Sequence, residues 1–238
     1  MRILITNDDG IDAPGLTALR HAAVGLGSAS VAAPTLAVSG CAHSATTDSV
    51  FSVEQRSKEI YAIDGTPADC VRIAFHDLEA PFDWVFSGIN RGGNLGVDIY
   101  YSGTVAAVRE AALYGVPGIA VSQYHNRPLT NQDWERAAAW TNPILKKLIA
   151  KPLKPGVFWN VNLPSDPLGE EPPDVIFCPL DSSPLPLSFE SSKDSGRRYN
   201  GKYVSRERTV GTDVDVCFRG AISVTEVSVI NNSRCVMA

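Results

Sequence analysis

The sequence predicts an α/β fold: a doubly wound, mainly parallel sheet with a β-hairpin extension towards the C-terminus. Two observations predict it. Short apolar runs at 3–5, 30–34, 60–63, 82–86, 118–122 and 157–164 alternate with longer stretches of helical periodicity. The first run, Ile3-Leu4-Ile5, is apolar on both faces, which suits a central strand covered by helices on either side. The 238 residues, 44% hydrophobic and 20% charged, are enough for one domain with a sizeable core.

Asp8 and Asp9 follow the first strand, at the edge where open α/β sheets bind ligands. Two neighbouring carboxylates repel, and both stay ionised readily only beside positive charge. An oxygen-liganded divalent cation such as Mg²⁺ or Mn²⁺ would supply it. A turn acid followed by a helix cap accounts for the same pair without a ligand. After Gly10, Pro14 offers a helix start, Leu16, Leu19, Ala23 and Leu26 recur at helical spacing, and Gly27 is a stop. With the strand at 30–34 this makes a β-α-β unit. Its first loop lacks Gly-x-Gly-x-x-Gly and would set two carboxylates against a diphosphate, which argues against a plain dinucleotide site.

The loop 35–46 is dense in hydroxyls and small residues and leaves from the same edge as Asp8. Ser39 there suits a metal or phosphate, or an ordinary polar loop. His43 reads as a surface or hydrogen-bonded residue. Residues 47–60 form a β-excursion, and 60–63 a further strand. Thr66 and Pro67 then cap and open a helix carrying Val71, Ala74, Phe75 and Leu78 on one face. Asp69, in its first turn, has a structural role there.

The strand at 82–86 leads into a Gly/Asn loop, Ser87 to Gly96, in which Asn90 and Asn94 can offer amide oxygen or N–H. Asp98 adds a carboxylate. Ser102 and Thr104 precede the alanine-rich helix 105–114, where a hydroxyl can cap the helix, face an anion, or do both. Gly115 stops that helix. A strand at 118–122, a helix at 131–150 opened by Asn131, and a strand at 157–164 complete a core over residues 1–163. Residues 164–238 read as an extended arm and β-rich tail, a plausible dimer clasp. Asn200-Gly201 signals a hairpin turn, and alternation at 212–218 and 221–225 around Arg219-Gly220 signals two more strands.

The net charge of -5 provides no basic field for nucleic acid or an anionic membrane. Five widely spaced cysteines without a Cys-x-x-Cys argue against a disulfide framework or a zinc site and fit a reducing cytoplasm. The N-terminus enters a strand without a leader-like segment, and no apolar run has membrane-spanning length.

Several motifs occur together and in order: Asn7-Asp8-Asp9-Gly10; Ala33-Pro34 followed by Ser39-Gly40 and His43-Ser44-x-Thr46; Gly65-Thr66-Pro67-x-Asp69-Cys70-Val71; and Ser87-Gly88-Ile89-Asn90-x-Gly92-x-Asn94-Leu95-Gly96 with Tyr101-Ser102-Gly103-Thr104-Val105. Gly211-Thr212-Asp213 and Gly220-Ala221-Ile222-Ser223-Val224-Thr225 follow in the tail. The set resembles the SurE family (survival protein E), which are 5′/3′-nucleotidases. The resemblance implies a Rossmann-like core, one divalent metal ion per subunit, and a C-terminal hairpin exchanged within a homodimer or homotetramer. It places metal ligands at Asp8, Asp9, Ser39 and Asn90, and phosphate contacts at Asn94, Ser102, Gly103 and Thr104. The sequence departs from the family pattern at Thr35-Leu36-Ala37-Val38, at Arg91 and at Glu226.

The expected activity is metal-dependent hydrolysis of nucleoside 5′- and 3′-monophosphates, with short polyphosphate a further substrate. Asp8 or Asp9 would also orient the attacking water. Two rivals remain open: a phosphoacceptor signalling domain, which needs an acceptor Asp where this chain has Ser87-Gly88-Ile89-Asn90, and a nucleotide-binding protein without catalysis.

Overall fold

The computed structural model describes residues 1–78, 81–165, 172–191 and 196–229. Among these, one nine-stranded sheet has the order β3-β4-β2-β1-β5-β6-β7-β11-β8. Its strands are β1 (Arg2–Thr6), β2 (Ser28–Pro34), β3 (Val53–Ser57), β4 (Ile60–Ile63), β5 (Trp84–Arg91), β6 (Gly118–Gln123), β7 (Val157–Leu163), β8 (Val175–Phe177) and β11 (Ile222–Ser228). Pairing is parallel from β4 through β7. The strands β3 and β11 run antiparallel to β4 and β7. A separate two-stranded hairpin joins β9 (Phe189–Ser191) to β10 (Arg197–Tyr199). The doubly wound, mainly parallel sheet and the C-terminal hairpin extension are therefore both present.

The helices α1 (Pro14–Ala22) and α4 (Asn131–Ile149) cover one face of the sheet, while α2 (Pro67–Asp77) and α3 (Gly103–Leu113) cover the other. Alternation along the strands sorts the core accordingly. Ile3, Ile5, Phe86, Val121 and Val161 point to the first layer, and Leu4, Val85, Ala120 and Phe158 to the second. The chain leaves β1 towards β2 on one side and later returns to β5 on the other. The crevice between β1 and β5 is thus the topological switch point.

Local chemistry sets the helix starts. Thr66 and Asp69 form a reciprocal capping box, and Asp69 also accepts both the N–H and the hydroxyl of Thr46. Asp69 is therefore the structural acid expected from its position. The long helix is capped by Thr130, one residue before Asn131, because Thr130 and Asp133 form the same box. Asp133 is buried and accepts two hydrogen bonds from Arg127 and one from Arg136.

Four expectations need correction. The strand expected at 82–86 begins at Trp84 and continues through Arg91, so Asn90 lies on a strand end and not in a loop. At Gly88 that strand approaches β6 so closely that a Cβ would lie 2.1 Å from the Val121 carbonyl oxygen, which is why an apparent loop glycine sits inside it. The strand expected at 212–218 is the helix α5 (Asp213–Phe218). Its buried Val214 and Cys217 share a helical face, and its two aspartates lie in the first turn, where the helix dipole favours them. No hairpin therefore turns at Arg219-Gly220. Nor does Asn200-Gly201 form a hairpin turn, since it follows β10 and leads to a 3₁₀ turn at Tyr203–Ser205, where the Tyr203 hydroxyl is drawn to Asp98. The tail is not wholly accessory either, because β11 is a buried strand of the main sheet.

The Arg127 guanidinium, with Thr130, holds the Asp133 carboxyl well below the usual carboxylate range, against the effect of its burial. A carboxyl depressed in the folded state stabilises the protein above its unfolded pKa near 4, and that contribution is lost as pH falls further. Asp133→Ala is expected to cost about 1–3 kcal/mol near pH 7. Urea midpoints measured against pH should show this deficit shrinking below about pH 4; a deficit as large at pH 3 as at pH 7 would contradict the ionic contribution.

Candidate active site

The residues after β1 turn sharply at the switch point. The Asn7 side-chain amide donates to the Gly10 carbonyl at 2.8 Å, and the Val38 N–H donates to the Asp8 carbonyl at 2.8 Å, bringing the loop 35–46 onto this turn. Asp8 is buried, and its Oδ1 accepts a 2.5 Å hydrogen bond from the Thr104 hydroxyl. Gly103 packs directly on it: a Cβ at Gly103 would lie 2.8 Å from the Asp8 Cβ and 3.0 Å from the Cys41 Sγ. Asp9 is more exposed and accepts the Arg91 N–H at 2.9 Å. The Asn90 side-chain N–H donates to the Gly92 carbonyl at 2.9 Å, which leaves its amide oxygen for another partner.

The start of α3 separates two roles that the sequence left together. Ser102 is the cap, accepting from the Val105 N–H at 3.0 Å, whereas the Thr104 hydroxyl is committed to Asp8. Asn94 is held from several sides. Its N–H donates to the Asn162 Oδ1, its carbonyl accepts from the side chains of Asn160 and Asn162, and its side-chain N–H donates to the Ser122 hydroxyl. Ser39 is exposed on the loop, four residues from His43, whose Nε2 lies 2.7 Å from Glu110 on α3. His43 therefore anchors the loop, as does Thr46 through Asp69.

Burial pushes the Asp8 carboxyl up to about 6; the Thr104 hydrogen bond works against that rise and the charge of Asp9 adds to it. Burial, followed by the charge of Asp8, also raises the Cys41 thiol, the opposite of what an activated nucleophile requires. The structure thus brings Asp8, Asp9, Asn90, Gly103 and Thr104 to one crevice. Ser39, Asn94 and Ser102 lie on the segments that border it.

Asn160, Asn162 and Ser122 were not singled out in the sequence. The signal was present: Phe158-Trp159-Asn160-Val161-Asn162-Leu163 places two amides on one face of an otherwise apolar strand.

The family model described as Survival protein SurE matches residues 3–180. The chain belongs to the SurE family. A protein of Nostoc sp. is 51% identical over 229 residues, covering 96% of this chain and 100% of its own length. The 5′-nucleotidase SurE of Geobacter sulfurreducens is 40% identical over 230 residues, covering 94% of this chain and 87% of its own. The crystal structure of the SurE protein from Aquifex aeolicus superposes with a TM-score of 0.85 at 31% identity, covering 100% of this chain and 97% of that one.

The crevice fits the divalent cation implied by the SurE resemblance. Among the described residues, neither Asp8 nor Asp9 has an ion pair with lysine or arginine, although the two carboxylates are adjacent. The Asn7 Oδ1 beside them is buried without a hydrogen-bond partner. No three His, Cys, Asp or Glu side chains converge among the described residues. A cation there would thus need neutral oxygen donors as well, which Asn90 and Ser39 can provide.

Gly103→Ala is expected to push α3 away from Asp8. Overpacking of this kind costs about 1–3 kcal/mol, or a Tm lower by roughly 2–12 °C for a chain of this size. An unchanged Tm in a calorimetric scan would show that the contact is slack.

Proposed function

We propose that this SurE-family chain is a 5′-nucleotidase that hydrolyses nucleoside monophosphates to nucleoside and phosphate, with Mg²⁺ or Mn²⁺ held by Asp8, Asp9, Ser39 and Asn90. One observation carries the reading: two adjacent carboxylates, without an ion pair to lysine or arginine among the described residues, face the first turn of α3 at the topological switch point. Relatives named 5′-nucleotidase SurE support the substrate class. When bound, the cation would supply positive charge to the phosphoryl oxygens.

The chain's own groups do the rest. The N–H groups and dipole at the start of α3, an eleven-residue helix, favour an anion, so the N–H groups of Gly103 and Thr104 and the hydroxyl of Ser102, whose own N–H donates to the Asp98 carbonyl, would receive phosphate oxygens. Asn94 would add its amide, itself bonded to Ser122, from a backbone that three hydrogen bonds hold still. Because Thr104 occupies one Asp8 oxygen, the more exposed Asp9 is better placed to orient the attacking water. Arg91 touches this machinery through its backbone N–H, so the family departure in its side chain leaves the Asp9 contact intact. Assembly as a homodimer or homotetramer finds support in the exposed hairpin β9–β10. Phe189 and Tyr199 meet edge to face on it in the open, and a two-stranded ribbon is marginal without a partner surface.

Phosphate release from a panel of 5′- and 3′-monophosphates and short polyphosphate, with EDTA and with added Mg²⁺ or Mn²⁺, tests the reading. Asp8→Asn is expected to lower metal-dependent release by roughly 10²- to 10³-fold while the far-UV spectrum stays native. Undiminished turnover in EDTA, or in Asp8→Asn, would refute it.

A further inference from the structure

We propose that the cavity beside the ends of β6 and β7 is the subsite for the nucleobase. This rests on the nucleotidase reading above and names the part of the substrate that the phosphate site does not hold. The cavity has a volume of about 280 Å³ and is lined by Tyr124, Asn126, Ser165, Arg208, Phe218 and Gly220, among others. Cavities of about 390 and 490 Å³ lie elsewhere, one at the opposite edge near Trp84 and Pro117 and one on the outer side of α2.

Placement is the first argument. Tyr124 directly follows β6, Ser165 lies just beyond β7, and Gly220 lies just before the antiparallel β11. All three therefore stand on the sheet edge that carries Asp8 and Asn90. Strands are spaced about 4.8 Å apart, so the ends of β6 and β7 lie roughly 5 and 10 Å to the side of the end of β5. A sugar can bridge that span between a phosphate at β5 and a base at β6–β7.

Continuity is the second. Leu95, the residue after Asn94, packs in a small core with Tyr124, Val214 and Cys217, against which Tyr203 and Phe218 rest. A Cβ at Gly93 would lie 3.4 Å from both the Tyr124 Cβ and the Tyr203 hydroxyl. The phosphate-side loop and the cavity wall are thus one packed unit.

Chemistry is the third. Tyr124 and Phe218 stack with centroids 4.7 Å apart and an interplanar angle of 21°, and the Arg208 guanidinium lies 5.2 Å over the Phe218 ring. A ring–ring–guanidinium column offers planar surface to a base, as aromatic and arginine planes do in nucleic-acid recognition. The Asn126 amide and Ser165 hydroxyl, themselves hydrogen-bonded at 2.9 Å, present polar atoms at the same cavity for a base edge. Among the described residues that line the cavity, none is a carboxylate.

Ribose 5-phosphate keeps the sugar and phosphate and lacks the base, so it separates the two halves of the site. Base stacking contributes about 1–3 kcal/mol, so the wild-type KM for ribose 5-phosphate should exceed that for a purine nucleoside 5′-monophosphate by roughly 5- to 150-fold. Arg208→Ala and Phe218→Ala are expected to close that gap by raising the nucleotide KM alone, with ribose 5-phosphate kinetics unchanged. Arg208 is 40% exposed in its side chain, so its variant carries the test if Phe218→Ala does not fold. Equal wild-type KM values, or a gap that survives in both variants, overturn the subsite. Calorimetric binding of adenosine needs no turnover: it is expected for the wild type and should be lost in Arg208→Ala. No phosphate release with adenosine still bound would fail the nucleotidase reading alone; no adenosine binding with phosphate release intact would fail the subsite alone.

Discussion

Burying Asp8 is the costliest arrangement at this edge, and its neighbours are disposed around it. A carboxylate removed from water needs hydrogen bonds and positive potential. The Thr104 hydroxyl supplies the first, and the start of α3 lies close enough that only glycine fits at position 103. The same closeness would bring a phosphate on α3 and a cation on the carboxylates together. Asp9 differs from its neighbour because it stays in contact with water and is held from the strand side by the Arg91 N–H. Two adjacent aspartates thereby acquire different surroundings.

The segment between β5 and α3 is irregular, yet its polar backbone is fixed by side chains from elsewhere. Asn160 and Asn162 pair with the backbone of Asn94 in the way another strand would. Asp98 accepts the Leu95 N–H and is in turn bound by the buried Arg206 and by the Tyr203 hydroxyl. The Gly96 N–H donates to Asp213 at the start of α5. The tail therefore braces the segment that borders the site, and its role in the subunit goes beyond any contact with a second copy. Asp181 ties this brace together by accepting from Thr209 and Thr212.

Much of this was legible in the sequence. The β-α-β alternation, the both-face apolar β1 and the Thr66–Asp69 and Thr104 neighbourhoods rest on local periodicity and on residues close in the chain, which sequence spacing records directly. The tail was harder to read. Thr-Asp-Val-Asp-Val alternates as a strand would, but Asp213 is buried as an acceptor for Gly96, a residue more than a hundred positions away, at the start of a helix whose Val214 and Cys217 share a buried face. The continuation of β5 through Gly88 was hidden for a similar reason, since glycine there answers to the neighbouring strand and not to a turn.

The sequence by itself determined the fold class, the position of the carboxylate pair at a strand end, and the family, because these depend on order and residue type. Only the tertiary structure decided that Ser102 caps α3 while Thr104 binds Asp8, that amides of β7 hold Asn94, and that Tyr124 meets Phe218 beside the site. Apart from the local Ser102 cap, these are contacts between residues tens of positions apart, which depend on strand register and helix placement, and neither leaves a periodic trace in the chain.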